Sequence, residues 1–245
     1  MTQDPNLSKI ELIASALGPL RDRLVFVGGC AVGLLITDTA AAPVRVTFDV
    51  DLVARVSALA AYHWIEKEFV RLGFSRDTAR DAPICRWRYR GLEVDLMPTD
   101  SKVLGFANRW YPLAVETAQD AKLPSGTIIK LITAPAFLAT KFEAYSDRGG
   151  ADMLASHDLE DIINVVDGRP GLLEEVRNAP ADLRTYLATR FAGLLMAPNF
   201  LDVLPALIFP DESLAERTQA VTERIRLLTR QGADKSGSAG TAVVT

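Results

Sequence analysis

The hydrophobic pattern divides the chain into short segments of contrasting period. Ser8-Lys-Ile-Glu11 reads as a capping box, apolar residues follow at helical spacing through Leu17, and Gly18-Pro19 ends that predicted helix. Residues 24–27 are wholly apolar and predict a short buried strand, which Gly28-Gly29 breaks. Residues 30–36 are small and apolar enough for a buried helix, and 37–43 suit a loop. Residues 44–54 then predict a strand that carries two carboxylates, Asp49 and Asp51. Ser57 can cap a helix running to Leu72, with Gly73 as its stop signal.

Two extended runs, 84–89 and 92–97, are joined around Arg90-Gly91 as a hairpin, and Pro98 closes the second. Beyond residue 131 the pattern is helical almost throughout. One predicted helix starts at Thr133, contains Lys141 and ends at Gly149-Gly150; another runs from near Ser156 to Asp167-Gly168; others start at Gly171, at Asp182 and at Ser213. The expected class is therefore α+β. A mixed-sheet core occupies residues 1–130, with four or five strands and helices on one side, and a helical half occupies 131–232. The tail 233–245, rich in Gly, Ser, Ala and Thr, is expected to be disordered.

Composition narrows the function classes. A net charge of −4 over 245 residues argues against a protein that coats nucleic acid, although Arg86, Arg88 and Arg90 alternate along one short segment. They suit either contact with a phosphate backbone or an exposed hairpin edge guarded by charge. Two isolated cysteines, Cys30 and Cys85, fit a reduced cytoplasmic protein better than a disulfide framework, and no ligand set has zinc-finger spacing. The N-terminus lacks the apolar run of a signal peptide. The most hydrophobic stretch, 191–209, contains Pro198, Asp202 and Pro205, so it reads as buried helices and not as a membrane span.

The carboxylates carry the chemistry. Side chains on a strand alternate, so Asp49 and Asp51 share one face, and a third, Asp95, sits between Val94 and Leu96 on a strand able to lie beside theirs. Like charges packed together on a half-buried strand are unfavourable unless a cation joins them. Three such oxygens suit magnesium, or manganese in its place, with the phosphates of a nucleoside triphosphate completing the shell. The plain alternative makes them solvent-facing strand ends or partners of the nearby arginines. Gly28-Gly29, after a strand, can cradle phosphate or simply turn the chain. Lys141, on an apolar helix among Phe137, Leu138 and Ala144, needs an anion or must snorkel to solvent.

Gly-Gly, a spacer, Asp-x-Asp and a later strand Asp is the signature of the DNA polymerase β-like nucleotidyltransferase superfamily. The wording here, Phe-Val-Gly-Gly and then Arg45-x-Thr47-x-Asp49-Val-Asp51-Leu, most resembles the AbiEii-type nucleotidyltransferase toxins of bacterial toxin–antitoxin systems. Lys141-Phe-Glu-Ala144, Arg148 and Asp158-Leu-Glu-Asp161 extend the likeness, which covers residues 24–167; His157 stands where the family often has Arg or Lys. The resemblance implies that Asp49 and Asp51 hold magnesium and the triphosphate, and that Asp95 completes the metal site and helps deprotonate the acceptor hydroxyl. It further implies that Gly28 and Gly29 bind phosphate, that Lys141 reaches the triphosphate, and that Asp158 orients Lys141 or the nucleotide. Asp152 stands as a rival to Asp158, Asp161 is read as structural, His157 as a hydrogen-bonding neighbour and His63 as packing or surface. Lys141→Ala is expected to remove activity with the fold intact.

The function expected is transfer of a nucleotide from an NTP to an acceptor hydroxyl. By the resemblance that acceptor is the tRNA 3′ end, with a cognate antitoxin protein as partner. A small molecule such as an aminoglycoside, a protein hydroxyl, or a non-catalytic nucleotide-binding module are the alternatives.

Overall fold

Local sequence accounts for most of the elements, and hydrogen bonds from distant residues account for the exceptions. The fold was obtained as a computed structural model that describes residues 4–41, 43–149 and 152–232. The predicted tail 233–245, and Gly150 at the end of the Lys141 helix, lie outside the described residues.

Helix α1 (Leu7–Leu17) buries Ile10, Ile13, Ala14 and Leu17. Its N-cap is Asn6, not the expected Ser8 box, and no side-chain cap forms, because the Asn6 amide is committed elsewhere. Gly18 turns the chain at φ 53° into a 3₁₀ segment, Gly18–Arg23. Strand β1 (Leu24–Val27) is buried at every position. After Gly28 come a 3₁₀ turn, Gly29–Ala31, and a short helix α2 (Val32–Leu35).

Strand β2 (Asp49–Ala54) begins five residues later than the predicted start at 44. At residues 45–47 Asn6 and Lys9, at the start of the chain, take the backbone groups: Asn6 Nδ2 donates to Arg45 O at 2.9 Å, Thr47 N–H donates to Asn6 Oδ1 at 2.9 Å, and Lys9 Nζ donates to Thr47 O. A side chain thus replaces the neighbouring strand there. Helix α3 (Leu59–Arg71) follows without a capping side chain, so Ser57 does not play the predicted role.

Strands β3 (Ser75–Arg76), β4 (Arg86–Tyr89) and β5 (Leu92–Pro98) come next. The β4–β5 turn places Arg90 at φ 47° and Gly91 at φ 84°, the two positive values that a tight two-residue hairpin needs. Arg90 therefore leaves the row of Arg86 and Arg88 and lies over the Tyr89 ring. Two short helices, α4 (Ser101–Leu104) and α5 (Tyr111–Glu116), lead to β6 (Gln119–Lys122) and β7 (Ile128–Leu131).

Among the described residues these strands form one seven-stranded sheet in the order β3-β4-β5-β2-β1-β7-β6. The pairs β2–β5 and β1–β7 are parallel and the rest antiparallel, so the sheet is mixed. The two strands beyond the expected four or five are edges, one of two residues and one largely exposed and polar, too short to show an apolar period. Helices cover both faces, not one. Phe69 of α3 packs edge-on against Trp87, 5.3 Å between centroids, while Tyr111 of α5 reaches Met97, which shares the face of Asp95.

The helical half begins with α6 (Ala134–Asp147), buried over its first seven residues. Helix α7 (His157–Gly168) starts where expected and is capped by Ser156, whose Oγ accepts from Leu159 N–H at 3.2 Å. Then follow α8 (Leu172–Arg177), α9 (Ala181–Met196), α10 (Phe200–Val203) and α11 (Leu214–Thr229). Phe142 of α6 meets Phe191 of α9 edge-on at 5.0 Å. Apolar side chains of the sheet and of these helices form one continuous buried cluster. No single described helix is long and apolar enough to cross a membrane; the apolar stretch of α9 and the turn after it bends by 87°.

Candidate active site

Strand register, and not sequence proximity, assembles the acidic group. In the parallel β2–β5 pair Asp51 stands opposite Asp95 and Asp49 opposite Glu93; in the β4–β5 hairpin Arg86 stands opposite Asp95 and Arg88 opposite Glu93. Alternation puts all six side chains on one face of the sheet, with Val50, Leu52, Val94 and Trp87 buried on the other. One carboxylate oxygen from each of Asp49, Asp51 and Asp95 lies within 4.8 Å of the others. These residues sit in a cleft of about 1270 Å³ whose facing wall comes from α6 and α7 and includes Lys141, Arg148 and Asp158.

The negative charge in this group is only partly compensated. Arg86 binds both oxygens of Asp95, Nε to Oδ1 at 2.8 Å and Nη2 to Oδ2 at 2.7 Å, while Nη2 also reaches Asp49 Oδ2 at 3.2 Å and Nη1 contacts Glu93. Among the described residues Asp51 has no such partner. Burial, with Asp49 and Asp95 beside it, pushes its carboxyl up to about 8, against the pull of Lys141 and Arg86. A set of hard carboxylate oxygens carrying surplus charge fits a divalent cation such as magnesium or manganese. The arginine alternative for these acids is realised in part, at Asp95 and Asp49, and it coexists with the cluster. Neither sequence-level reading of the arginines holds, since Arg86 and Arg88 pair with carboxylates and β3, not β4, is the sheet edge.

Gly28 is required where it stands. Its φ is +71°, and a Cβ there would lie 1.7 Å from Asp51 Oδ2. The bare Cα admits the Asp51 carboxylate beside the end of β1. At Gly29 a Cβ would meet Arg45 Nη2 at 2.7 Å and Asp161 Oδ2 at 3.2 Å. Both glycines therefore make room for site side chains, whatever anion they also meet. Gly28→Ala is expected to cost about 2–3 kcal/mol in a denaturant melt, from backbone strain plus displacement of Asp51. A melt coincident with that of the natural protein would contradict this packing.

The opposite wall is a buried ion network. Lys141 Nζ lies 3.0 Å from Asp158 Oδ1 and 2.7 Å from Asp161 Oδ2. Arg45 forks onto Asp161, Nε to Oδ1 at 2.9 Å and Nη2 to Oδ2 at 3.0 Å, and Arg148 binds Asp158. Burial drags the Lys141 ammonium downward, yet Asp161 and Asp158 outweigh it and hold its pKa above the usual value. It is Asp158, not Asp152, that the fold brings to Lys141; exposed Asp152 instead accepts from the Leu154 and Ala155 N–H groups in a turn. Asp161 is wholly buried and anchors both cations, a structural part that also lies beside Gly29.

This burial alters the expectation for Lys141. Its removal leaves two buried carboxylates short of a partner, so Lys141→Ala is expected to cost about 3 kcal/mol of stability in addition to any loss of turnover. Thermal unfolding of the variant checks it. His157 is exposed, lies 3.4 Å from Glu160 and lines the cleft, whereas His63 is exposed beside Glu66 at 2.6 Å and does not line it. Cys30 and Cys85 are buried and unpaired; burial raises both thiols, Cys85 to about 12, and so opposes the thiolate a nucleophile needs.

Sequence reasoning missed Arg86, Arg45 and Glu93 as parts of the site. For Arg86 a signal existed: a two-residue turn at Arg90-Gly91 forces residue 86 opposite 95 and residue 88 opposite 93. Arg45 and Asp161 are 116 residues apart, and no local pattern couples them.

No family model and no curated protein matches the sequence. Solved structures do. The chain superposes on an antigenic nucleotidyltransferase-like protein from Paracoccidioides brasiliensis with a TM-score of 0.50, at 23% identity, over 82% of this chain and 91% of that one. The chain has a nucleotidyltransferase-type fold. JHP933 from Helicobacter pylori is also similar, at 13% identity and a TM-score of 0.46, over 95% of each chain. In this nucleotidyltransferase-type fold the acidic cluster occupies the central strands of the sheet, where β2 pairs with β5.

Proposed function

We propose that the protein transfers a nucleoside monophosphate from an NTP to an acceptor hydroxyl. One observation carries this reading: three carboxylates from two adjacent strands converge within 4.8 Å in a cleft whose facing wall holds a buried lysine. Asp49, Asp51 and Asp95 would hold magnesium or manganese, which supplies charge neutralisation for the triphosphate and the attacking oxygen. Lys141, stiffened by Asp158 and Asp161, faces the same cleft as a fixed positive charge for phosphate oxygens. The acceptor oxygen attacks the α-phosphorus, the bond to the β-bridging oxygen breaks, pyrophosphate leaves, and Asp95 takes the hydroxyl proton. Both Asp95 oxygens are held by Arg86, so the guanidinium has to yield at least one of them for that role.

The resemblance to AbiEii-type toxins supports the tRNA 3′ end as acceptor and a cognate antitoxin as partner. The test is incubation of the protein with magnesium, each α-labelled NTP in turn and total tRNA, with an aminoglycoside and the protein itself as other acceptors. Label on RNA that disappears with Asp49→Ala supports the full reading. Label on another acceptor keeps the reaction class and removes the tRNA assignment. No label on any acceptor, with NTP binding intact, would leave a nucleotide-binding module.

A further inference from the structure

The segment preceding the acid pair holds two apolar side chains in water although its backbone is fixed. Val44 and Thr47 are buried, while Val46 is 54% exposed and Phe48 80% exposed. An exposed phenylalanine on a slack loop could fold back onto the core, but this segment cannot move that way. The wholly buried Asn6 clasps both Arg45 O and Thr47 N–H, Lys9 holds Thr47 O, and Arg45 is forked onto Asp161. Phe48 therefore forgoes the gain of burial. Its ring lines the same cleft as Asp49, its chain neighbour, and so do Val46 and Phe106, which is 41% exposed and follows Gly105.

We propose that Phe48, with Val46 and Phe106, forms a seat for the flat face of a nucleobase. This rests on the nucleotide-transfer reading and names what that reading leaves open, the part of the substrate that is not phosphate. A phenyl ring offers nothing to a triphosphate, whereas every base has a π-face to stack on it. The seat lines the same cleft as the acids that would grip the phosphates, so its occupant is the base of the donor nucleotide or that of a nucleic-acid acceptor.

Binding measured by calorimetry with magnesium separates these cases, using inorganic tripolyphosphate, each NTP and a short single-stranded RNA as probes. Phe48→Ala is expected to weaken one of the base-bearing probes about tenfold, leaving tripolyphosphate unchanged, and Phe48→Trp to restore it. Loss confined to NTP assigns the seat to the donor base, and loss confined to RNA assigns it to the acceptor. Unchanged affinity for both, with tripolyphosphate still bound, would overturn the seat alone and leave Phe48 as a contact for some other partner. Failure of the natural protein to bind tripolyphosphate and NTP would take down the transfer reading and the seat together.

Discussion

Asp51→Asn will make the metal-free protein more resistant to heat and leave it without nucleotide transfer. Asp51 lies against Gly28 between two other carboxylates, and Arg86 reaches both neighbours but not Asp51 itself. Asparagine keeps the shape and removes a carboxyl whose ionisation burial and like charges oppose. The expected gain is about 1–2 kcal/mol, or some 3 °C in Tm for each kcal/mol. The same change removes an oxygen with full negative charge from the cation-binding set, and turnover should fall about a thousandfold. Differential scanning calorimetry without metal, paired with the labelled-nucleotide assay, checks both halves. A variant less stable than the natural protein would mean that Asp51 is a structural acid with a partner.

Arg86→Met should act in the opposite sense on stability while tightening metal binding. The guanidinium takes both oxygens of Asp95 and one of Asp49, the oxygens a divalent ion would need. Removing it leaves Asp95, Glu93 and Asp49 without their shared cation, at a cost of about 2–3 kcal/mol in the metal-free protein. A full positive charge about 4 Å from a cation costs several kcal/mol at an intermediate dielectric, so its loss should raise manganese affinity about tenfold or more. Saturating manganese should then recover most of the lost Tm. Titration of manganese by calorimetry or electron paramagnetic resonance reads the affinity directly. An unchanged or weakened affinity would show that Arg86 supports the site without competing for it.

How much of this was legible beforehand depends on distance along the chain. The Arg90-Gly91 turn, the helix start near Ser156 and the strand at residues 24–27 each follow from a few neighbouring residues, and the fold reproduces them. The Ser8 box and the Ser57 cap failed although their motifs were sound. At Asn6 the reason is visible: its amide closes on residues 45 and 47, a long-range pairing that outcompetes a local one. The same clasp accounts for the missing strand at residues 44–48. Edge strands β3 and β6 escaped notice because two or four largely exposed residues carry no apolar period.

By itself the sequence determined that Asp49 and Asp51 share a face, that residues 84–89 and 92–97 form a hairpin around Arg90-Gly91, and that the chain beyond residue 131 is helical. Each of these follows from backbone period or turn geometry over a short span. Tertiary structure alone decided that β5 lies beside β2 in the register Asp51–Asp95, and that α7 delivers Asp158 and Asp161 to Lys141 and Arg45. Those pairings depend on which apolar surfaces bury one another across the whole core, and strand period specifies a face without naming its neighbour.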